Sequence, residues 1–247
     1  MRIWIQGDSE MDHFLRKRCT EKGMILSSAS DCDLAILRFP YSEINNEMVT
    51  LFLEKQKIIC GMLDEKTERI SEEKNWILYR PLQDEEYLSE NAKLTAEGAI
   101  NAAMNKLPIA IRDAKCLVIG YGRIGKELTR LLRSFGADVT VAARRPESRK
   151  EAGENSIEIS KIRSDIFKSD LILNTVPCCV ISESGLLLIK NTSFLFELAS
   201  KPYGFDMDAA KRLGVHAYLE SGIPGRYCPD SAARALLHFI ERSVQLE

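Results

Sequence analysis

Residues 115 to 145 decide the fold, and they read Lys115-Cys-Leu-Val-Ile-Gly120-Tyr-Gly122-Arg-Ile-Gly125-Lys-Glu-Leu-Thr-Arg-Leu-Leu-Arg-Ser-Phe-Gly136-Ala-Asp138-Val-Thr-Val-Ala-Ala-Arg144-Arg145. The run from Cys116 to Ile119 is short and apolar, which is typical of a buried parallel strand. Three glycines follow, and apolar residues then recur at helical spacing as far as the helix stop Gly136: Ile124, Leu128, Leu131, Leu132 and Phe135. The stretch therefore predicts strand, glycine turn, helix and strand.

The three glycines have the GxGxxG spacing of a dinucleotide-binding turn. Gly120 permits the tight turn, Gly122 lets a pyrophosphate approach the backbone, and Gly125 lets the helix lie close to the strand. The free N–H groups of the helix N-terminus then face the phosphates. The alternative is a glycine-turned βαβ unit that binds no ligand.

The end of the second strand indicates which dinucleotide is bound. Sites that prefer NAD place an acid there to accept a hydrogen bond from the ribose 2′-OH. Here the chain has Ala142, Ala143, Arg144 and Arg145, and the first acid is Glu147. Guanidinium groups can bind a 2′-phosphate through paired hydrogen bonds, so NADP is favoured over NAD. Alternatively, Arg144 and Arg145 are solvated residues at the start of a loop.

Composition narrows the class of protein. The chain has 247 residues, 45% of them hydrophobic, which suits one or two domains. A formal charge of −2 gives no electrostatic footprint for nucleic acid. No stretch approaches the roughly 18 apolar residues of a membrane helix, and the apolar run after Met1 is too short for a signal peptide. We therefore expect a cytoplasmic protein that binds neither nucleic acid nor membrane.

The cysteines and histidines predict no metal site. The seven cysteines lack paired metal-ligand spacing and read as reduced thiols, and two of them are adjacent, Cys178 and Cys179. The three histidines lie far apart in the sequence, at His13, His216 and His238. A zinc site built on histidine is therefore not expected.

The alternation of strands and helices predicts the domain organisation. Strands at Arg2–Ile5, Asp33–Arg38 (followed by a break at Phe39-Pro40), 57–61 and 76–79 favour a small flavodoxin-like α/β domain over residues 1–88. A connecting helix over 89–110 leads to a doubly wound, Rossmann-type parallel sheet over 111–227. The terminal helix, 228–247, is expected to pack back toward the first domain.

Polar residues follow the later strands of the predicted Rossmann sheet. Asn174-Thr-Val-Pro177 ends one strand, and Ala199-Ser-Lys-Pro202 ends the next. A loop rich in glycine and proline, Ser221–Arg226, follows the last strand. Because ligands of open α/β sheets bind outside the carboxyl ends of the strands, we expect these residues near a ligand.

Five motifs carry a family resemblance: Thr95-Ala-Glu-Gly-Ala, Gly120-Tyr-Gly-Arg-Ile-Gly, Asn174-Thr-Val-Pro, Leu198-Ala-Ser-Lys-Pro-Tyr-Gly-Phe-Asp206 and Gly222-Ile-Pro-Gly225. In this order and spacing they resemble the A subunits of dipicolinate synthase, over about Asn91 to Leu237. The chain departs from the family pattern at Tyr203, where glycine is usual, and at Asp230, where lysine is common. Its first domain is also several tens of residues shorter.

The resemblance implies an NADP-dependent oxidoreductase that makes dipicolinate from a cyclic product of the lysine pathway. It further implies that the partner is a flavoprotein-like B subunit, that the assembly is oligomeric, and that the protein works in the mother cell during sporulation. The cofactor-binding residues that it implies are Gly120, Tyr121, Gly122, Arg123, Ile124 and Gly125 for the pyrophosphate, Arg144 and Arg145 for the 2′-phosphate, Asn174, Thr175, Val176 and Pro177 for the nicotinamide ribose, and Ala199 and Ser200.

The substrate implied by the resemblance is a small dicarboxylate. Its carboxylates need cationic partners, and Lys201 and Arg226, each just past a strand end, are the candidates. Glu97 is the candidate base that accepts a proton. Solvated loop charges are the alternative for Lys201 and Arg226, and a carboxylate in the first turn of a helix is the alternative for Glu97.

Two other functions stay open. One is a shikimate- or 2-hydroxy-acid-type dehydrogenase, although the Arg, Glu and His set of the hydroxy-acid enzymes is not at its usual places in this sequence. The other is a nucleotide-binding protein that has lost its chemistry and only docks to a partner, which the short first domain leaves open.

Overall fold

A computed structural model describes residues 1–38 and 42–244, which form two compact units. The first unit comprises Met1–Asn91 and Pro224–Glu247, and the second comprises Ala92–Ile223. The long helix α4 (Glu85–Met104) starts in the first unit and continues into the second. The break expected at Phe39-Pro40 lies outside the described residues.

The first unit is a five-stranded parallel sheet with helices. Its elements before α4 are β1 (Arg2–Ile5), α1 (Glu10–Glu21), β2 (Ile25–Leu26), β3 (Leu34–Ile36), α2 (Asn46–Leu51), β4 (Lys57–Ile59), α3 (Glu65–Glu73) and β5 (Ile77–Tyr79). The strand order is β2-β1-β3-β4-β5, with every pair parallel. This is the order of flavodoxin-like sheets, so the predicted fold of the first domain is confirmed.

Two helices of the first unit pack against each other through residues far apart in sequence. Ser9 caps α1 in a reciprocal capping box with Asp12, and Leu15 and Cys19 are the buried residues of that helix. The terminal helix α11 (Pro229–Ser243) packs on α1 and buries an apolar stripe that includes Phe239. Its Pro229 stands in the first helical turn, where the N–H that proline lacks would have no partner within the helix.

The second unit holds a six-stranded parallel sheet. Its elements after α4 are β6 (Lys115–Ile119), α5 (Arg123–Ser134), β7 (Asp138–Ala142), α6 (Pro146–Ala152), β8 (Ser156–Ile157), α7 (Arg163–Lys168), β9 (Leu171–Asn174), α8 (Glu183–Leu186), β10 (Phe194–Glu197), α9 (Met207–Arg212) and β11 (His216–Leu219), and the short α10 (Ile223–Tyr227) follows. The order β11-β10-β9-β6-β7-β8 is that of a Rossmann sheet, which confirms the predicted class.

The register of the second sheet aligns the carboxyl ends of its strands, where ligands of such sheets bind. Asn174 pairs with Ile119 on one side and with Glu197 on the other, and Ile119 pairs with Ala142. The carboxyl ends of four strands therefore lie in one row. The order of the sheet reverses between β6 and β9, and this is the switch point where such folds bind ligands.

Some local expectations differ from the structure. The short strands β2 and β8 and the helices α6, α7 and α8 lack a strong periodic signal in the sequence. Helical spacing predicts Phe135 on the buried stripe of α5, but it is 46% exposed, because the helix ends at Ser134 and Phe135 is its C-cap. In the described part of the chain, no helix is long and apolar enough to span a membrane.

Candidate dinucleotide-binding site

The glycine turn between β6 and α5 has the close contacts that its spacing predicts. Gly120 has a φ of +99°, and a Cβ there would lie 2.2 Å from Thr175 Oγ1. A Cβ on Gly125 would lie 2.1 Å from the carbonyl oxygen of Gly120. A side chain at either position would therefore separate the helix or the neighbouring strand end from the turn.

Gly122 differs from the other two glycines. A Cβ at this position would meet no atom within 4 Å, so the turn is open on this side. Gly122 is also the N-cap of the 12-residue helix α5, and as a glycine it has no side chain to accept from the free N–H groups of the first turn. The turn thus offers space and backbone N–H groups where a pyrophosphate would lie, and these residues fit a dinucleotide.

The side chains in the turn frame this open space. Tyr121 and Ile124 are half-buried, whereas Arg123 is exposed. The ammonium of Lys126 lies 5.6 Å from the centroid of the Tyr121 ring and binds Glu151 at 2.6 Å. This pairing restrains the Tyr121 ring beside the first turn of α5.

The arginine pair follows directly after β7, beside the glycine turn. The N–H of Gly120 donates to the carbonyl of Ala142 at 2.8 Å, which ties the turn to the end of β7. Arg144 and Arg145 are both exposed. Both guanidinium groups are therefore accessible to a ligand that occupies the turn.

A third arginine holds the segment that carries this pair. Arg149 Nη1 donates to the carbonyl of Ala143 at 3.0 Å and to that of Arg144 at 2.7 Å. These bonds fix the backbone of the segment from α6. Arg149 is not among the residues predicted from the sequence, although its place one turn into a helix after the arginine pair is a usable signal.

The segment Asn174–Pro177 forms a turn held by its own first residue. Asn174 Nδ2 donates to the carbonyl of Val176 at 3.0 Å, and the N–H of Val176 donates back to Asn174 Oδ1 at 3.2 Å. The Asn174 side chain is 0% exposed, so it shapes the turn from within. The residues of this segment that are open to a ligand are Thr175, Val176 and Pro177.

The loop after β10 is anchored on Glu197, which the sequence patterns do not single out. The two carboxylate oxygens of Glu197 accept from the N–H of Ala199 at 2.9 Å, the N–H of Gly204 at 2.8 Å, and Asn174 Nδ2 at 2.8 and 3.0 Å. Burial raises the pKa of Glu197, while the N–H groups of Gly204, Ala199 and Asn174 act in the opposite direction. Glu197 thereby joins the loop after β10 to the turn after β9.

The same network explains why residue 204 is glycine. A Cβ there would lie 2.2 Å from Asn174 Nδ2, so only glycine lets the loop close over the Asn174 side chain. Its carbonyl accepts from the N–H groups of Val180 and Ile181, at 2.8 and 2.9 Å. On this anchored loop Ala199 is half-buried, and Ser200 and Lys201 are exposed.

The three predicted substrate residues lie on different elements. Lys201 is in the second unit, on the loop after β10, and Glu97 is an exposed residue of α4 in the same unit. Arg226 lies in α10, in the part of the chain that belongs to the first unit, and its guanidinium lies 5.3 Å from the centroid of the Tyr227 ring. Among the described residues of the second unit, Glu97 and Lys201 form no hydrogen bond or ion pair with each other.

In the described residues, no group of three or more His, Cys, Asp or Glu side chains could hold a metal ion.

Comparisons with known proteins agree with this geometry. A family model described as the NAD binding domain of D-isomer specific 2-hydroxyacid dehydrogenases matches residues 85–196. The matched segment carries the glycine turn, the arginine pair and the turn after β9. It supports a nicotinamide dinucleotide as the cofactor and oxidoreductase as the class of activity.

Two relatives are similar in sequence. The A subunit of dipicolinate synthase from Bacillus subtilis is 25% identical over 188 residues, which are 75% of this chain and 63% of that protein. The aligned region thus spans less than two thirds of the relative. Glyoxylate reductase of Thermococcus kodakarensis is 32% identical over 89 residues, which are 33% of this chain and 26% of that protein.

A solved structure extends the likeness to the fold of the whole chain. The A subunit of dipicolinate synthase from Bacillus halodurans has a TM-score of 0.85 at 23% identity, covering 100% of this chain and 98% of that one. At this identity the match shows the fold. Together, the sequence and fold comparisons confirm the resemblance to the A subunits of dipicolinate synthase, and the second unit has a Rossmann fold whose matched segment supports a nicotinamide dinucleotide cofactor.

Proposed function

We propose that this protein is the A subunit of an NADP-dependent oxidoreductase of the dipicolinate synthase type. It oxidises a cyclic dihydro- or tetrahydrodipicolinate intermediate to dipicolinate, in the cytoplasm of the mother cell during sporulation. It acts as an oligomer and with a flavoprotein-like B subunit. The observation that carries the proposal is the pair of exposed arginines, Arg144 and Arg145, at the end of the strand beside an open glycine turn.

The choice of NADP follows from charge and position. An acid at the end of β7 would repel a 2′-phosphate, and the described structure has two guanidinium groups there instead. Arg149 holds the backbone of their segment through two hydrogen bonds made within the protein itself. Such preorganisation lowers the entropy cost of binding.

The proposed reaction requires no covalent bond between substrate and protein. Loss of a hydride and a proton makes the substrate ring aromatic, and NADP, when bound, supplies the hydride acceptor. The protein must orient the ring carbon and receive the proton. We assign proton acceptance to Glu97 and the two substrate carboxylates to Lys201 and Arg226, because Glu97 and Lys201 lie within family motifs and Arg226 directly follows one.

The experiment that tests this function is reconstitution of the reaction. Purified protein is mixed with a flavoprotein-like B subunit, the cyclic intermediate and either NADP or NAD. We expect dipicolinate and reduced cofactor to form together, and faster with NADP. If protein that binds NADP forms no dipicolinate with either cofactor, the result would favour a chain that only docks to its partner.

A second candidate is a 2-hydroxy-acid dehydrogenase, which the family match over residues 85–196 and the similarity to glyoxylate reductase favour. Turnover of a 2-hydroxy acid or of shikimate by the chain on its own, with no partner protein, would identify this activity. The proposed function predicts no such turnover.

A further inference from the structure

Glu197 is a fully buried carboxylate that lacks a cationic partner among the described residues. Its exposure is 0%, and so is that of its partner Asn174. The groups that contact its oxygens are two backbone N–H groups and one side-chain amide. A buried charge without a counter-ion is costly, so a residue of this kind needs a reason.

The partners of Glu197 specify a carboxylate with both oxygens accepting. Ala199 N–H donates to Oε1, Gly204 N–H donates to Oε2, and Asn174 Nδ2 donates to both. The orientation of the Asn174 amide is set by the Val176 N–H, which donates to its Oδ1. A protonated carboxylic acid or a glutamine amide would direct a hydrogen of its own at one of these N–H groups. The geometry therefore selects the ionised form of Glu197.

The position of Glu197 connects this charge to the cofactor. A Rossmann sheet binds one half of a dinucleotide at the first three strands and the other half at the last three, across the switch point. The glycine turn and arginine pair follow β6 and β7, which assigns the adenosine half to that side. Glu197 ends β10, in the row of strand ends that continues from Ile119 through Asn174. Its charge is therefore on the side of the switch point where the nicotinamide half would bind.

We propose that Glu197 is a positioning residue whose buried negative charge makes the site favour the oxidised, cationic nicotinamide ring over the neutral reduced ring. The inference rests on the proposed nicotinamide cofactor. An enzyme that oxidises its substrate benefits from this bias, because the reduced cofactor then leaves the site more readily than the oxidised cofactor does. Inside a protein the attraction is weakly screened, and we expect it to alter the ratio of the two affinities by about 5- to 50-fold.

The test measures the dissociation constants of NADP⁺ and NADPH, by calorimetry and by NADPH fluorescence, without substrate. The wild type is expected to bind NADP⁺ more tightly than NADPH. Glu197→Gln should lose most of this preference, whereas Glu197→Asp, which keeps the charge, should weaken both forms and retain the preference. The ratio of the two constants cancels any loss of loop order that affects both forms alike.

Ser193→Ala is the matched control. Ser193 directly precedes β10, at the end of the strand opposite Glu197. It is 0% exposed and donates to the carbonyl of Ser169 at 2.6 Å. Its loss should lower thermal stability and leave the ratio unchanged. Equal binding of NADP⁺ and NADPH by the wild type, a result that needs no variant, overturns the inference. So does an unchanged ratio in a folded Glu197→Gln protein. A wild type that binds neither form rejects the proposed function itself.

Discussion

A Cβ added to Gly125 would lie 2.1 Å from the carbonyl oxygen of Gly120, so the start of α5 can contact the end of β6 only because residue 125 has no side chain. Gly125→Ala must therefore move a helix away from a strand end, since the opposing atom belongs to the backbone. We expect the free energy of unfolding to fall by about 1–3 kcal/mol, as overpacking of a well-packed site usually causes. Urea denaturation followed by circular dichroism measures this loss, and wild-type stability would contradict the packing argument.

Gly122→Val, in contrast, should leave the fold intact and abolish cofactor binding. The new side chain meets nothing within 4 Å of its Cβ in the protein alone, and the backbone φ of −84° suits any residue. It would, however, occupy the space through which a pyrophosphate reaches the backbone. We expect a folded variant without measurable NADP binding in calorimetry. Normal binding by folded Gly122→Val would mean that the glycine turn is only structural.

Arg144→Ala should distinguish the two cofactors. A charge-assisted hydrogen bond contributes roughly 1.5–3 kcal/mol, so the affinity for NADP should fall by about ten- to a hundredfold. Affinity for NAD, which lacks the 2′-phosphate, should change little. Arg145→Ala should act in the same direction. The control is Arg133→Ala, because Arg133 is an exposed arginine in the last turn of α5. If the wild type binds NAD as tightly as NADP, the assignment of the arginine pair is wrong.

Substitutions of the three predicted substrate residues should affect different kinetic constants, according to the role assigned to each residue. Lys201→Met or Arg226→Met should lower kcat/KM for the dicarboxylate by about ten- to a hundredfold, because each removes one charge-assisted contact, and cofactor affinity should barely change. Glu97→Gln should instead lower kcat with little effect on KM, since its assigned role is proton acceptance. Steady-state kinetics with the B subunit present provide the measurement. Near-wild-type kcat/KM in all three variants would mean that the substrate binds elsewhere.

The ion pair between α1 and α11 should make the first unit sensitive to acid. Arg18 donates to Asp230 at 2.8 and 2.5 Å, and this hydrogen bond holds the pKa of Asp230 below its ordinary value of 3.8. The stabilisation is therefore present above pH 3.8 and is lost as the pH falls below it. Asp230→Asn should flatten this acid dependence. Urea titrations between neutral and acid pH measure it, with Arg18→Met and the double variant completing a thermodynamic cycle. A coupling of zero would show that the pair adds no stability.

Thiol reactivity should separate the two exposed cysteines from the four buried ones, and the seventh, Cys228, is intermediate in burial. Cys178 and Cys179 are exposed, whereas burial raises the pKa of Cys19 and Cys116 to about 12 and that of Cys32 and Cys60 to about 11. Because the thiolate is the reactive form, a disulfide reagent should modify Cys178 and Cys179 rapidly in the native protein. The four buried thiols should react only on unfolding. Mass spectrometry of the modified peptides identifies the sites, and Cys178→Ser with Cys179→Ser should remove the rapid phase.

Local patterns in the sequence determined the elements around the glycine turn. The strand before Gly120, the helix after Gly122 and the arginine pair after β7 all depend on residues close together in the chain. Glycine conformation, helical spacing and strand spacing act over such short separations, so the Rossmann class and the dinucleotide site follow from the printed residues. The flavodoxin-like order of the first sheet follows in the same way from the alternation of strands and helices.

Only the tertiary structure decided how the ends of β9 and β10 are joined. Asn174 and Glu197 are 23 residues apart, and they meet because the parallel register of two adjacent strands places them side by side. In the sequence, Asn174 reads as a ligand contact and Glu197 as one more strand residue. The structure adds a direct hydrogen bond between them, because a side chain removed from water must bond to whatever polar groups the neighbouring strand and loop provide. Likewise, Arg226 follows the last strand of the second sheet in sequence, yet it lies in the part of the chain that belongs to the first unit.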